Sequence, residues 1–199
     1  SIMDKLKKNS TIAHTEVLSE SQFFGDTDVV PTDVPMINVA LSGNTEGGIT
    51  PGLTVLAGPS KHFKTSFALK IASSYLENKK DSVLLFYDSE FGSPQSYFEQ
   101  FNIPMDAVNH TYKEIGLFPK DIVGGGTGIY YSADNIWIVG RQQDKSGTEI
   151  KGYHFIINID KSRYVKEKSK IPISVSWEGG IQSYSGLLDV AVNGGYIIK

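Results

Sequence analysis

The sequence predicts an α/β domain whose mostly parallel sheet is flanked by helices. Three observations indicate this fold: residues 53–57 form a short apolar run between glycines, residues 64–76 carry a helical pattern, and residues 83–87 form a second apolar run. Strand, helix and strand at this spacing make a βαβ unit, in which the helix crosses over between two parallel strands. We therefore expect the first two strands to lie in one parallel sheet.

The helix of this unit is predicted from the spacing of its apolar side chains. They recur in pairs every four residues, which places them on one helix face: Phe67, Ala68, Ile71, Ala72, Tyr75 and Leu76. The polar residues 77–80 predict its end.

The C-terminal third predicts antiparallel strands at the edge of the sheet. Residues 136–139 and 153–159 are apolar runs, and residues 171–177 alternate apolar with polar or small side chains, which is typical of a half-buried strand. The polar stretch 140–152 between two of these strands predicts a hairpin loop.

The first 30 residues differ from the rest of the chain. They begin polar and rich in lysine and then hold a few apolar side chains, among them Phe23 and Phe24. We expect a short helical N-terminal arm over residues 1–30 and the core domain over residues 31–199; the alternative for the arm is a frayed terminus.

The composition excludes several classes of protein. Of the 199 residues, 40% are hydrophobic and 21% are charged, which excludes global disorder. The absence of cysteine excludes a disulfide scaffold, a thiolate metal site and a cysteine nucleophile. A formal net charge of -3 argues against a generic basic surface for nucleic acid. No apolar run is long enough for a membrane helix and no secretory signal is visible, so we expect a cytoplasmic protein without a membrane partner.

The segment between the first strand and the first long helix has the context of a phosphate-binding loop. Its backbone N–H groups would form an anion-binding nest, to which the helix N-terminus adds further N–H groups. Lys64 would neutralise the β- and γ-phosphates, and the Thr65 hydroxyl would ligate Mg²⁺. The candidate nucleotide-binding residues are Gly58, Pro59, Ser60, Lys61, His62, Phe63, Lys64, Thr65 and Ser66.

One position of this loop departs from the usual pattern of a phosphate loop. Phe63 stands where the second glycine of GxxxxGK[ST] belongs. The alternative interpretation is therefore an ordinary turn between a strand and a helix, with incidental lysines.

The second strand ends in a pair of carboxylates, Asp88 and Glu90. Ligands of open α/β sheets bind at the carboxyl ends of the strands. A carboxylate there could orient an attacking water or reach Mg²⁺ through water. The alternative is that it caps the helix that follows.

Four segments resemble those of RecA-family recombinases, and more narrowly those of the strand-exchange proteins of T-even-like phages. They are GPSKHFKTSF, LLFYDSEFG, GGGTGIYYSAD and NIDKSRYVKEKSK. The resemblance covers most of the chain, and the phenylalanine within the phosphate loop is typical of the phage branch. It implies a RecA-like P-loop ATPase core with ATP and Mg²⁺ as cofactors.

The resemblance also implies roles for individual side chains. Glu90 matches the glutamate that activates water, and Tyr97 lies where the family stacks a tyrosine on the adenine. Asn109 and His110 resemble the polar pair, after the fourth core strand, that senses the γ-phosphate. The catalytic set is completed by Lys64 and by two basic residues that reach the ATP of the adjacent subunit, Lys161 and Arg163.

The stretch 113–131 is similar to the family's second DNA-binding loop. Its candidate DNA-binding residues are Lys113, Lys120, Gly124, Gly125, Gly126, Thr127 and Gly128. Glycines allow a backbone to approach phosphates closely, although a mobile surface loop is the alternative. The partners implied are single-stranded and double-stranded DNA, further copies of the chain in a helical filament contacted through the arm, and phage mediator and single-strand-binding proteins in the host cytoplasm.

The resemblance is interrupted at residues 108/109. The family continues there through a helix, the strand that ends in the Walker B aspartate, and the first DNA-binding loop, whereas Val108 is followed directly by Asn109. A genuine internal deletion, an omitted stretch of sequence and an assembled fragment are the three explanations. Removing central strands would expose apolar faces of the remaining strands and impair hydrolysis.

Two functions of different classes follow from the sequence. The first is an ATP-dependent recombinase, a DNA-dependent ATPase that forms filaments on single-stranded DNA and promotes strand exchange in recombination and repair. The second is an internally deleted, hydrolysis-deficient relative that binds nucleotide or DNA or interferes with a filament. A small nucleotide kinase is disfavoured because its lid needs several arginines, and the chain has only Arg141 and Arg163.

Overall fold

The computed structural model describes residues 2–9, 11, 29–88, 92–112, 126–146 and 149–198. The helices are α1 (Ile2–Asn9), α2 (Pro35–Ser42), α3 (Lys64–Asn78), α4 (Gln95–Glu99), α5 (Gly126–Ser132) and α6 (Leu187–Asn193). The strands are β1 (Thr54–Ala57), β2 (Leu84–Asp88), β3 (Val108–Tyr112), β4 (Asn135–Ser146), β5 (Glu149–Lys161), β6 (Lys170–Ser176) and β7 (Gly180–Ile181). A short 3₁₀ turn, Met105–Ala107, leads into β3.

The strands form two sheets. The larger has the order β1-β4-β5-β6-β7, in which β1 and β4 are parallel and the other three pairs are antiparallel. The smaller is the parallel pair β2-β3. The α/β class and the antiparallel strands toward the C-terminal edge are thus confirmed.

The prediction of one mostly parallel sheet containing both β1 and β2 is wrong. β1 pairs with β4, while β2 pairs with β3 in a separate sheet. The connections explain why most pairs in the larger sheet are antiparallel, because β4, β5, β6 and β7 follow one another through short loops. Short links permit only antiparallel neighbours, whereas parallel neighbours need a long crossover.

The hairpin between β4 and β5 is longer than its polar sequence predicts. β4 runs to Ser146 and β5 begins at Glu149, so most of the expected loop 140–152 is paired strand, with Gln142 opposite His154. Polar side chains do not prevent this pairing because the ladder is made by backbone groups. The hairpin was therefore predicted at the correct place but with too long a loop.

The main core lies between one face of the larger sheet and helices α2 and α3. Its fully or nearly fully buried members are Val34, Met36, Ile37, Ala40, Leu41, Phe67, Trp137, Val139, Phe155, Ile157, Ile159, Ile171 and Ile173. Helix α2 starts at Pro35, whose fixed φ suits a first helical position, and ends at Gly43, which has a left-handed φ of 77°. The sequence pattern did not single out this helix.

Helix α3 also packs on a second, smaller core. Leu69 is 1% exposed and lies against Phe98 and Ile103, with Leu84 and Phe86 of β2 packed around them. Phe67 of the same helix belongs to the main core. α3 therefore joins the two sheets.

The other face of β2 is open to solvent. We call Val83, Leu85 and Tyr87 the outer β2 row; they are 70%, 56% and 75% exposed. Strands of parallel sheets are normally covered on both faces. An apolar row in this position is the consequence expected when neighbouring elements of such a sheet are missing.

Little of the predicted N-terminal arm can be described. Residues 2–9 form helix α1, while Phe23 and Phe24 lie outside the described residues. Among the helices that the structure describes, none is long and apolar enough to cross a bilayer.

We predict that truncating Leu69 destabilises the protein much more than truncating Leu85. Leu69→Ala leaves a cavity beside α3 and should lower the free energy of unfolding by about 2–5 kcal/mol. Leu85→Ala removes the same atoms from an exposed position, so its effect should stay below about 1 kcal/mol. Urea unfolding followed by circular dichroism measures both. Equal losses for the two variants would contradict the described packing of α3.

Candidate nucleotide-binding site

The predicted phosphate loop lies between a strand and a helix, as its sequence indicates. β1 ends at Ala57, and α3 begins at Lys64. Gly58 has a φ of 148°, and a Cβ at this position would come within 2.7 Å of the carbonyl oxygen of Val139 in the adjacent β4. Glycine is therefore required at the first position of the loop, because any side chain would push β1 away from β4.

Two residues of the loop other than glycine adopt left-handed backbone conformations. Lys61 has a φ of 60° and Phe63 a φ of 63°. Phe63 occupies the position at which the usual motif has its second glycine, and its φ shows why glycine is the common choice there. For a residue with a side chain this conformation costs about 1–2 kcal/mol.

The Phe63 ring makes contacts that offset this cost. It stacks on Phe155 of β5 with a centroid distance of 5.0 Å and an interplanar angle of 22°. It also meets Phe67 of α3 edge to face at 5.5 Å. Since aromatic pairs contribute about 0.5–1.5 kcal/mol each beyond their buried area, two such pairs balance the backbone strain. The departure from the motif is thus accommodated by the sheet beneath the loop.

The polar groups of the loop are arranged for an anion. The Lys64 ammonium donates to the carbonyl oxygen of Pro59 at 2.8 Å and so lies folded over the loop. The backbone N–H groups of Lys61 and of residues 63–66 donate to no acceptor within the described part of the chain, whereas that of His62 closes the turn over Ser60 and Lys61. No acidic residue stands in the first turn of α3. Free N–H groups, a lysine and a helix N-terminus together favour a phosphate group.

The hydroxyl residues that follow Lys64 face different surroundings. Thr65 is exposed at the start of α3 and is open to a ligand. Ser66 is buried, and its hydroxyl shares a hydrogen bond with the hydroxyl of Tyr97. The Tyr97 ring packs against Phe101 at 5.7 Å. Tyr97 is therefore held beside the start of α3 by its contact with Ser66.

The carboxylates after β2 are only partly described. Asp88 is 8% exposed and accepts a hydrogen bond from the backbone N–H of Ser93 at 3.2 Å, just before α4. Asp88 thus binds the backbone just before α4, which resembles the helix-capping role given above as the alternative to a catalytic one. Glu90, the predicted water-activating residue, lies outside the described residues.

The predicted γ-phosphate-sensing pair lies within a strand. Asn109 and His110 belong to β3, opposite Leu85 and Phe86 of β2. The resemblance placed such a pair after a strand, but pairing with β2 continues to Tyr112. The pair is consequently two to three residues away from the strand end.

The two basic residues predicted to act on a neighbouring subunit are held at the other end of β1. Arg163 forms an ion pair with Asp134 at 2.6 Å, and the same carboxylate accepts the backbone N–H of Leu53 at 2.8 Å. Lys161 donates to the carbonyl oxygens of Tyr130 and Tyr131, at 2.7 Å and 3.1 Å, at the end of α5. The phosphate loop follows β1, so the strand separates it from both cations by roughly 13 Å of extended chain.

Only part of the predicted DNA-binding stretch is described. Lys113, Lys120, Gly124 and Gly125 lie outside the described residues, whereas Gly126, Thr127 and Gly128 open helix α5. A Cβ on Gly128 would meet nothing within 4 Å, so packing within the chain does not require glycine there.

Sequence reasoning missed a group of side chains beside the phosphate loop. Arg141 donates to the carbonyl oxygen of Lys61 at 3.2 Å, and its guanidinium lies 4.8 Å from the ring centroid of Tyr153. Trp177 meets Tyr153 edge to face at 5.3 Å. The alternation of side chains along β4 could have indicated it, because Arg141 lies two residues after Val139 and so on the face of the strand that packs on the helices.

One comparison with known proteins identifies a relative. A recombination and repair protein of Enterobacteria phage T4 is 36% identical over 281 residues, which cover 100% of this chain and 72% of the relative. No protein-family model matches the chain. Because the chain has 199 residues, the aligned span of the relative is longer by 82 residues (281 less 199).

This similarity extends over the whole chain, including the phosphate loop and the four segments singled out above. The extra residues of the relative fall inside the aligned span, in agreement with an interruption of the resemblance within the chain. The chain belongs to the UvsX-like group of RecA-family recombinases.

Proposed function

We propose that this protein is an ATP-dependent recombinase, which acts in DNA recombination and repair as a filament on single-stranded DNA and pairs it with double-stranded DNA. The observation that carries the proposal is the phosphate loop, in which Lys64 and the uncapped first turn of α3 lie together directly after β1. The relative's name, recombination and repair protein, supports the cellular role. A RecA-like core is the architecture proposed for the complete ATPase.

ATP and Mg²⁺ fit the residues at this loop. Lys64 would leave the Pro59 carbonyl and bind the β- and γ-phosphates, while the exposed Thr65 hydroxyl would ligate Mg²⁺. The metal would neutralise charge on the phosphates. The acidic residue that would orient the attacking water is Glu90, and Tyr97 lies close enough to the loop for a role beside the nucleotide.

Lys161 and Arg163 support a site shared between subunits. Both are held beyond the opposite end of β1, so neither can reach the loop of its own subunit without unfolding that end of the sheet. Their only access to a nucleotide is therefore to one bound by a neighbour. A contact in which one surface meets a different surface of the next copy generates an open helical filament. Hydrolysis would then depend on assembly.

A second candidate function is supported by the exposed outer β2 row and by the 82 residues that the relative has in excess. If the missing stretch carries the Walker B aspartate, the chain binds nucleotide or DNA without efficient hydrolysis. Such a chain would act as a binding module, or would enter a filament of an intact recombinase and interrupt it.

We predict that ATP hydrolysis is stimulated by single-stranded DNA and abolished in Lys64→Ala. The reason is that Lys64 is the side-chain cation that we place on the β- and γ-phosphates from the subunit that binds the nucleotide. A coupled phosphate-release assay, with and without DNA, measures the turnover. Lys80→Ala, which removes an exposed lysine beyond the end of α3, should leave turnover unchanged. Turnover that persists in Lys64→Ala would refute the assignment of the loop.

We predict that active sites can be restored by mixing two inactive variants. Lys64→Ala lacks the phosphate ligand and Arg163→Ala lacks the cation supplied to a neighbour, so a mixed filament contains some junctions with both wild-type residues. Turnover of the mixture should exceed that of either variant alone by at least about tenfold. Lys166→Ala is the matched control, and it should hydrolyse ATP at the wild-type rate without being mixed with another variant. If Arg163→Ala retains full turnover alone, the shared site is wrong.

We predict salt-sensitive binding of single-stranded DNA in the presence of ATP. Phosphate contacts release counterions, so the logarithm of the affinity should fall linearly with that of the salt concentration. Fluorescence anisotropy of a labelled oligonucleotide measures this slope. Binding without turnover, together with reduced strand exchange when the chain is added to an intact phage recombinase, would select the second candidate. Absence of DNA binding would reject the first candidate and would leave only the nucleotide-binding form of the second.

A further inference from the structure

Arg141 connects the phosphate loop to Tyr153 of β5 in the larger sheet. It lies in β4, and its guanidinium is held between two groups: the carbonyl oxygen of Lys61, 3.2 Å from Nη1, and the ring of Tyr153, 4.8 Å from Cζ. Tyr153 is itself braced by the edge contact with Trp177. The loop carbonyl therefore holds one side of the guanidinium, and the Tyr153 ring holds another.

The carbonyl group that Arg141 binds belongs to a backbone position under strain. Lys61 has a left-handed φ of 60°, which a residue with a side chain rarely adopts without support. The carbonyl of Lys61 and the N–H of His62 are parts of one planar trans peptide and point in opposite directions. A hydrogen bond that draws the carbonyl toward Arg141 consequently directs the His62 N–H back into the loop, where it closes the turn over Ser60 and Lys61.

Phe63 supplies a second attachment of the same kind. The two left-handed residues of the loop, Lys61 and Phe63, are each held by one strand of the larger sheet, the first by Arg141 of β4 and the second by Phe155 of β5. The loop lacks its second glycine, so its backbone shape depends on these attachments more than that of a glycine-rich loop would.

We propose that Arg141 is a positioning residue for the phosphate loop. It fixes the peptide between Lys61 and His62 and so holds the turn over Ser60 and Lys61 in the shape that receives a phosphate of a nucleoside diphosphate or triphosphate. Arg141 acts through the loop backbone and needs no contact with the nucleotide. This inference rests on the nucleotide binding proposed above.

The test compares Arg141→Gln with the wild-type protein by two measurements. Titration with a fluorescent ADP analogue should show a dissociation constant raised about five- to tenfold, the effect of one lost hydrogen bond to a charged donor. Limited digestion with trypsin without nucleotide should cut the bond after Lys61 faster in Arg141→Gln, while the bond after Lys168, in the turn between β5 and β6, is cut at the wild-type rate. Arg141→Lys, which keeps the charge and one donor, should give intermediate values. Lys166→Gln removes the same charge from the turn between β5 and β6 and should match the wild type.

Each other outcome has a definite meaning. If the wild type binds the ADP analogue and Arg141→Gln binds it equally well, Arg141 does not position the loop. Faster cleavage after Lys168 as well would show a general structural role and would also overturn the inference. If the wild type does not bind the analogue, the proposed function fails. The digestion still tests whether Arg141 holds the loop, and unchanged cleavage after Lys61 would reject the inference independently.

Discussion

The packing of helix α3 between two cores is the constraint on which the rest of the structure depends. Phe67 and Leu69 are two positions apart, so they point to opposite sides of a helix with 3.6 residues per turn. One side chain fixes α3 on the larger sheet and the other fixes it on the β2-β3 pair. Because both sides are anchored, the direction of the helix N-terminus is set, and with it the position of Lys64.

The phosphate loop shows how a local conflict is resolved by distant residues. Phe63 disfavours the backbone that its position requires, and this disadvantage is offset only because β5 places Phe155 directly beneath the ring. The same sheet provides Arg141 for the carbonyl of Lys61. The backbone of a loop without its second glycine is thus held in place by aromatic stacking and one charged hydrogen bond from neighbouring strands.

The shortness of the chain relative to its phage homologue has a visible structural consequence. β1 borders the larger sheet next to β4, and β2 lies in a sheet of its own with an exposed apolar row. A βαβ crossover normally returns the chain to the same sheet. Here β1 and β2 instead lie in different sheets, and α3, which connects them along the chain, packs in the cores of both.

The sequence by itself determined the elements whose signals are local. The apolar runs of β1 and β2, the period of α3, the alternation in β6 and the order of residues in the phosphate loop were all predictable, because each depends on neighbours in the chain. The pairing of β1 with β4, the separate β2-β3 sheet and the full length of the β4–β5 hairpin were decided only by tertiary structure. So were the contacts of Arg141 with Lys61 and of Phe63 with Phe155, which join residues about 80 to 90 positions apart. The physical reason is that hydrogen bonding between strands and aromatic stacking depend on which segments meet in space, and a local sequence pattern carries no record of that.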